Sequence, residues 1–181
     1  MNYLFFDIEC ANCYNGKGKI YSFGYLICDH NFKIKTPPCD ILINPDCKFD
    51  PYVKKNILAY PKEVIKASPK FNEAYEEIKQ LMTAKNTICF GYGIDNDLHF
   101  LADECKRYSL EKIQARVYDV QKLIALALDR PARKLVIEYT ELVGEEEKGT
   151  HKSDVDALRT MLVAKSIFVK DNKPIHKYFK D

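Results

Sequence analysis

The segment from residue 2 to residue 9 restricts the fold of this chain more than any other feature. Its side chains alternate between two faces with the period of a β-strand. The first face carries Leu4, Phe6 and Ile8, and the second carries Tyr3, Phe5, Asp7 and Glu9. Because both faces are apolar until the acids appear, we predict a strand at the centre of a sheet. Asp7 and Glu9, two residues apart, leave the same face, where unpaired buried carboxylates would be costly without a cation.

The rest of the chain mixes strand and helix patterns. Apolar runs at residues 20–28 and 41–43 predict that the chain opens as an antiparallel meander. Further strands are predicted at 87–90 and 116–118, and helices at 71–82, 98–105, 120–128, 135–143 and 155–168. This mixture predicts an α/β fold with a central mixed β-sheet and helices on both faces. The length of 181 residues fits a single domain over residues 1–181, with residues 170–181 as a loose tail.

Composition favours an ordinary globular protein. No stretch approaches the ~20 apolar residues that span a bilayer, and the start lacks a secretory leader, so we expect a cytoplasmic protein without a membrane partner. The net charge of +2 neither requires nor excludes a polyanionic partner. Seven cysteines without regular spacing argue against a disulfide framework. Cys10 and Cys13 form a C-x-x-C motif without further zinc ligands, and we interpret them as unlinked thiols.

A second acidic segment lies between Gly91 and Leu101, where a strand turns sharply into a helix. We predict Asp97 in the first helical turn, on the edge of the buried face that Leu98 and Leu101 continue. Asp95, two residues earlier, competes with it for a role in metal binding. Helix capping is the structural alternative for either acid.

A third cluster, from His151 to Asp156, lies where the last long helix begins. Ser153 and Asp156 have the spacing of a capping box, which is a structural alternative for this cluster. His151 has no capping role, and a lone surface histidine is its structural alternative. It follows a Glu-rich segment bracketed by Gly144 and Gly149, which is suited to a mobile loop that carries a titratable group over a site.

The order of these clusters resembles that of the DnaQ-like, or DEDDh, 3′-to-5′ exonucleases. Residues 5–9, Phe-Phe-Asp-Ile-Glu, resemble the first motif of that family, and residues 97–101, Asp-Leu-His-Phe-Leu, resemble the second. Residues 151–156 are similar to the H-x4-D form of the third motif. The sequence departs from the family where Cys10 replaces a frequent Thr and where Gly-Tyr-Gly-Ile-Asp-Asn replaces a frequent His-Asn pair. The implied catalytic set is Asp7, Glu9, Asp97, His151 and Asp156.

The resemblance implies an RNase H-like exonuclease fold and a nuclease that acts on nucleic-acid 3′ ends with two Mg²⁺ or Mn²⁺ ions. It implies that Asp7 bridges the ions, that Glu9 and Asp156 complete one, and that Asp97 holds the other. The resemblance also implies that Glu9 contacts the terminal 3′ hydroxyl. His151 is implied as the general base that takes a proton from the attacking water.

Substrate contacts are less specific in the sequence. The backbone N–H groups of Cys10 and Ala11 are candidates for binding the terminal nucleotide. Lys17, Lys19 and Lys152 are candidates for phosphate contacts, with solvated surface charge as the alternative. DNA or RNA, strand preference and oligomeric state stay open.

Three other functions remain as alternatives. One is a nucleic-acid-binding module with a decayed exonuclease site. Another is an integrase-like or RNase H-like endonuclease, which needs no histidine five residues before its last Asp. A structural protein would bind no divalent metal.

Overall fold

A computed structural model describes residues 1–14, 17–144, 151–170 and 172–179. Five strands form one sheet, β1 (Asn2–Cys10), β2 (Ile20–Asp29), β3 (Ile34–Leu42), β4 (Thr87–Gly91) and β5 (Val117–Asp119). Their order is β3-β2-β1-β4-β5, so β1 is central, as predicted. The strand β1 is antiparallel to β2 and parallel to β4, which makes the sheet mixed.

The strand β3 is longer than the predicted run at 41–43. It begins at Ile34 and includes Pro37 and Pro38, which the sequence pattern does not favour in a strand. Because β3 is at the edge of the sheet, a proline there need not remove a hydrogen bond of the ladder.

Seven α-helices accompany the sheet in the described residues, α1 (Pro51–Asn56), α2 (Lys62–Ala67), α3 (Phe71–Thr83), α4 (Asp95–Arg107), α5 (Val120–Leu128), α6 (Leu135–Val143) and α7 (Ser153–Lys165). The helices α5 and α6 have the predicted bounds. The helix α7 begins two residues before the predicted start and continues as a π-helical turn over Ser166–Lys170.

The two faces of β1 belong to different cores, as the alternation predicts. Tyr3 and Phe5 pack in a cluster with residues of α5, α6 and α7. Leu4, Phe6 and Ile8 pack in a second cluster with residues of α3 and α4. The sheet therefore has helices on both faces, and Asp7 and Glu9 extend the face that α7 covers.

The described part of the C-terminal tail is packed, in contrast to the predicted loose end. Ile175 is only 4% exposed, and the ring of Phe179 stacks on that of Tyr118 with centroids 4.6 Å apart. Burial of these apolar side chains holds residues 172–179 against the sheet.

The cysteines and the helices show neither disulfides nor a membrane span in the described residues. All seven cysteines are unpaired thiols. Among the described residues, no helix has the length and apolar character needed to cross a bilayer.

Candidate active site

The C-terminal half of β1 brings Asp7 and Glu9 to one end of the sheet. Across the antiparallel pairing with β2, Asp7 lies opposite Gly24 and Glu9 lies opposite Ser22. The strand β4 runs parallel to β1, so both strands end at the same side of the sheet. The helix α4 begins four residues after β4, which places its first turn near Asp7 and Glu9.

Gly24 allows the N-terminus of α7 to approach the sheet beside Asp7. A Cβ atom built on Gly24 would lie 2.0 Å from the carbonyl carbon of Ser153 and 2.1 Å from the backbone nitrogen of Asp154. Any other residue would push α7 away from β2. Gly24 was not among the residues that the sequence pattern indicated, although a glycine inside a strand can mark such a close approach.

The N-terminus of α7 is held by a side chain that faces the sheet. Ser153 is buried; its hydroxyl lies 2.5 Å from that of Ser22 and donates a hydrogen bond to Oδ1 of Asp40 at 2.7 Å. The capping-box interpretation is therefore wrong. The N-cap residue is Lys152, which makes no capping side-chain bond. The Ser153 hydroxyl is used instead in bonds to β2 and β3.

The structure brings together three of the predicted residues from β1 and the start of α7. Glu9, His151 and Asp156 each offer one ligand atom, and these atoms lie within 4.8 Å of one another. Asp156 also accepts a hydrogen bond from Arg159 at 2.8 Å, an interaction that the sequence did not predict. The predicted mobile loop before His151, including Gly149, lies outside the described residues.

The two candidate acids of the second motif point in different directions. Asp97 lies in the first turn of α4, as predicted, and is 9% exposed. The Asp95 side chain is 81% exposed and pairs with Lys122 at 3.0 Å. The N-cap residue of α4 is Ile94, without a side-chain capping bond, so neither acid caps the helix. Asp97 therefore faces the other acids and Asp95 faces solvent.

The electrostatic environment couples these carboxylates. Burial raises the pKa of Asp7 well above its usual range. The charges that add to this effect, in decreasing order, are those of Asp97, Asp156, Glu9 and Asp40. Burial, with the nearby acids, raises the pKa of Glu9 to about 8. The site therefore concentrates oxygen ligands whose mutual repulsion a cation would relieve, and such ligands suit Mg²⁺ or Mn²⁺.

Asp119 supports the turn that leads to Asp97. Its Oδ1 atom accepts a hydrogen bond from the backbone N–H of Gly93 at 3.0 Å and one from Gln121 at 2.9 Å. Gly93 has a φ of 64°, a conformation that favours glycine. Burial raises the pKa of Asp97 to about 7, and the charge of Asp119 adds to the effect.

Asp40 and Tyr60 are two further residues that the sequence did not indicate. Asp40 is on β3, where its carboxylate accepts hydrogen bonds from Ser153 and from the hydroxyl of Tyr60. Its charge contributes to the raised pKa values of Asp7 and Glu9, after burial and after the larger contributions of Asp97 and Asp156. The predicted strand began only at residue 41, so Asp40 had no place in the sheet.

The nucleotide contact predicted for Ala11 stays a prediction, although its backbone N–H has a partner within the protein. The Ala11 N–H donates to the carbonyl of Lys19 at 2.7 Å, so it is already used within the protein. The side chain of Cys10 is buried in the core on the α4 side of the sheet. A backbone contact from Cys10 stays a prediction.

The exonuclease family model of the RNase T type matches residues 4–164. The chain belongs to the DnaQ-like exonuclease family. The match includes the predicted motifs, from Asp7 and Glu9 through Asp97 to His151 and Asp156. No curated protein sequence matches the chain.

Solved exonuclease structures share this family fold at low sequence identity. A 3′-exonuclease described in "3'-end specific recognition of histone mRNA stem-loop" has a TM-score of 0.78 and 14% identity, with 94% of this chain and 82% of that chain covered. A full-length 3′-exonuclease has a TM-score of 0.79 and 15% identity over the same shares.

Exonuclease I of E. coli, in a zinc-bound complex with single-stranded DNA, has a TM-score of 0.78 and 18% identity. The match covers 98% of this chain but only 42% of exonuclease I, so this chain spans less than half of that protein. These similarities show the RNase H-like exonuclease fold.

Proposed function

We propose that this member of the exonuclease family is a metal-dependent 3′-to-5′ exonuclease that hydrolyses phosphodiester bonds at nucleic-acid 3′ ends. The observation that carries the proposal is the convergence of four carboxylates and a histidine at one end of the sheet. They come from β1, from the first turn of α4 and from the start of α7, and they are Asp7, Glu9, Asp97, His151 and Asp156.

The crowded acids fit two divalent cations, Mg²⁺ or Mn²⁺. Carboxylate oxygens are the preferred ligands of these ions, and the raised pKa values of Asp7 and Glu9 reflect burial and negative charge that cations would compensate. We assign Asp7, Glu9, Asp97 and Asp156 as the metal ligands. Divalent ions at such a site activate water and stabilise the charge that develops during phosphodiester cleavage.

His151 is assigned as the general base, and Glu9 as a contact to the terminal hydroxyl. The imidazole is exposed and lies with Glu9 and Asp156 within 4.8 Å, so it can accept a proton from water near the ligand oxygens. Contact between Glu9 and a 3′ hydroxyl would restrict cleavage to chain ends. The backbone N–H of Cys10 is a further candidate for holding the terminal nucleotide.

The alternative is a decayed exonuclease domain that binds nucleic acid without cutting it. A decayed site is expected to have lost at least one ligand, whereas all five predicted residues are present in the sequence. Retention of the whole set therefore favours an active enzyme.

The test uses single-stranded DNA and RNA oligonucleotides with Mn²⁺, 5′-labelled in the linear form and internally labelled in the closed circular form. We expect linear substrates to shorten one nucleotide at a time from the 3′ end and circles to survive. The Asp7→Asn variant and excess EDTA should each stop the reaction. Binding without cleavage would favour the decayed module, and cleavage of circles would favour an endonuclease.

A further inference from the structure

The segment that contains α1 and α2 packs directly on the chain that follows Glu9. The carbonyl of Ala11 accepts a hydrogen bond from the backbone N–H of Asp50 at 2.8 Å. The buried residues Ala11, Tyr21 and Ile65 form a small cluster with partly buried residues of this segment. The two short helices therefore form a rim beside the candidate active site.

This rim is the basic counterpart of the acidic site. Residues 48–67 contain five lysines and two acids, a net charge of 5 − 2 = +3, whereas the whole chain carries only +2. Within the part of the chain that the structure describes, none of these five lysines forms an ion pair with a carboxylate. The rim thus presents a net positive charge, with two acids against five lysines.

Lys54 and Lys66 lie close enough to Lys62 to affect its pKa, and we call Lys54, Lys62 and Lys66 the lysine face. The pKa of Lys62 is lowered, first by burial and then by the nearby charges of Lys54 and Lys66. Like charges so close together repel, and a bound anion would relieve the repulsion. The spacing of several cations along one surface suits a polyanion better than a single small anion.

Aromatic side chains accompany the lysine face. Tyr52 is on α1 and 65% exposed. The ammonium of Lys62 lies 5.8 Å from the centroid of the Phe49 ring, and that of Lys152 lies 4.8 Å from the centroid of the Tyr60 ring. Tyr60 also donates to Asp40, so it connects the rim to the acidic site. Basic side chains combined with aromatic surfaces are typical of single-strand binding, in which bases stack and phosphates pair with cations.

We propose that the lysine face binds the phosphate backbone of a single strand, upstream of the 3′ nucleotide in the active site. The inference rests on the proposed function and adds the path of the substrate. Lysine ammonium groups contact phosphates as point charges, so this surface should bind without sequence preference. DNA and RNA share the phosphate chemistry and should depend on it equally.

The test compares two triple variants that lose the same charge, both in the inactive Asp7→Asn background. The first is K54Q/K62Q/K66Q. The control is K33Q/K85Q/K112Q, whose lysines lie near the opposite end of the sheet, before β3, before β4 and after α4. Binding is measured by fluorescence anisotropy with labelled 20-nucleotide dT and rU strands between 50 and 200 mM KCl.

We expect the first variant to bind at least about tenfold more weakly at 50 mM salt. Its log–log salt slope should be smaller by about 2, since each phosphate contact on a single strand contributes about 0.7. The control should change the affinity less than about twofold. Equal affinities of the two triple variants would overturn the proposal. So would a loss of affinity for only one of the dT and rU strands.

A second measurement separates this inference from the proposed function. In the active background, K54Q/K62Q/K66Q should raise the KM for the oligonucleotide but leave hydrolysis of the p-nitrophenyl ester of thymidine 5′-monophosphate within about twofold, because that ester has no upstream phosphates. If the parent is active and K54Q/K62Q/K66Q has the same KM as the parent, the proposed role of the lysine face is wrong but the proposed function is not. Failure of the parent to cut either substrate would overturn the proposed function, while the binding comparison would still test the lysine face.

Discussion

The hydroxyl oxygens of Ser22 and Ser153 lie 2.5 Å apart, although 131 positions separate the two residues in the chain. Because Ser153 donates its only hydroxyl proton to Asp40, Ser22 must be the donor to Ser153. Ser22 also lies opposite Glu9 in the sheet. This hydrogen-bonded chain therefore joins the start of α7 to the strand pair that carries the first motif.

Ser153→Ala should lower both stability and activity. The substitution leaves the buried hydroxyl of Ser22 and an oxygen of Asp40 without this partner, so we expect the free energy of unfolding to fall by about 1–3 kcal/mol. Urea unfolding at pH 7 measures this loss, and the oligonucleotide assay measures the accompanying fall in kcat. Ser166→Ala, after the end of the same helix, is the control. An unchanged free energy of unfolding in Ser153→Ala would show that these hydrogen bonds do not stabilise the position of α7.

Asp97→Asn should abolish metal-dependent cleavage, whereas Asp95→Asn should cost less than about tenfold, or 1.4 kcal/mol of barrier. The difference follows from position, since Asp97 is buried beside Asp7 and Asp95 is paired with Lys122 in solvent. Single-turnover rates with Mn²⁺ provide the comparison. An inactive Asp95→Asn beside an active Asp97→Asn would reverse the assignment of the second motif.

The metal-free protein should become less stable as pH rises. Glu9 has a pKa of about 8 and Asp97 one of about 7 in the folded state, while unfolded carboxyls titrate near pH ~4. Between these values the folded state binds protons that the unfolded state has released, so the free energy of unfolding falls with increasing pH. Thermal unfolding in EDTA from pH 5 to pH 8 should show a falling Tm.

Asp7→Asn tests the cause of that fall. Removing one of the repelling charges should make the fall smaller and raise the Tm at pH 8 in EDTA. Mn²⁺ should stabilise the parent more than the variant at that pH. A parent Tm that rises between pH 5 and pH 8 in EDTA would contradict the crowded-carboxylate description.

His151→Ala should reduce kcat by about 10²-fold or more, the usual scale for loss of a general base, with little change in metal affinity. Calorimetric titration with Mn²⁺ and single-turnover kinetics measure the two effects separately. His99→Ala, an exposed histidine on α4 that pairs with Asp103, is the matched control. Loss of Mn²⁺ binding in His151→Ala would make the residue a metal ligand, and an unchanged rate would exclude it from the reaction.

Glu138→Gln should destabilise the protein by about 3–5 kcal/mol at neutral pH, since it leaves two arginines without their buried partner. Burial opposes ionisation of Glu138, but hydrogen bonds from Arg130 and Arg133 outweigh it and lower its pKa to about 2. Its stabilising contribution is therefore present above the unfolded pKa near ~4.3 and is lost as pH falls toward 2.

Urea unfolding at pH 7 and pH 3 checks this expectation. The difference between the parent and Glu138→Gln should shrink at pH 3. Glu141→Gln removes a partner of Arg133 that is 57% exposed, and it should cost less than about 1 kcal/mol. Similar losses of stability in the two variants would show that burial of Glu138 does not strengthen its contribution.

The parts of the fold that the sequence predicts best are those with a strong apolar period. The two faces of β1 and the bounds of α5 and α6 follow from side-chain alternation and helical spacing alone. The predicted strand β3 was too short because Pro37 and Pro38 weaken the strand pattern in the sequence. Prolines are tolerated there because β3 lies at the edge of the sheet. The helices α1 and α2 have six residues each, too few for a helical period to stand out.

The candidate site was predictable where residue type carries the chemistry, as for Asp7 and Asp97. Gly24 and Asp40 were not predictable, because their roles arise from contacts with α7, more than a hundred positions later in the chain. The internal partner of the Ala11 N–H was not predictable for a related reason. Residue type does not show whether a backbone N–H already has a partner, and that of Ala11 donates to Lys19.

The distribution of the acids along the chain has a consequence for biosynthesis. Asp7 precedes Asp156 by 149 positions, and α7 carries Asp156 while His151 lies just before it. A ribosome therefore releases β1 long before the helix that completes the site, and domains generally fold as units during translation. A growing chain holds some of the carboxylates but no assembled centre. Under the proposed function, hydrolytic activity should therefore arise only when α7 docks on β1 and β2.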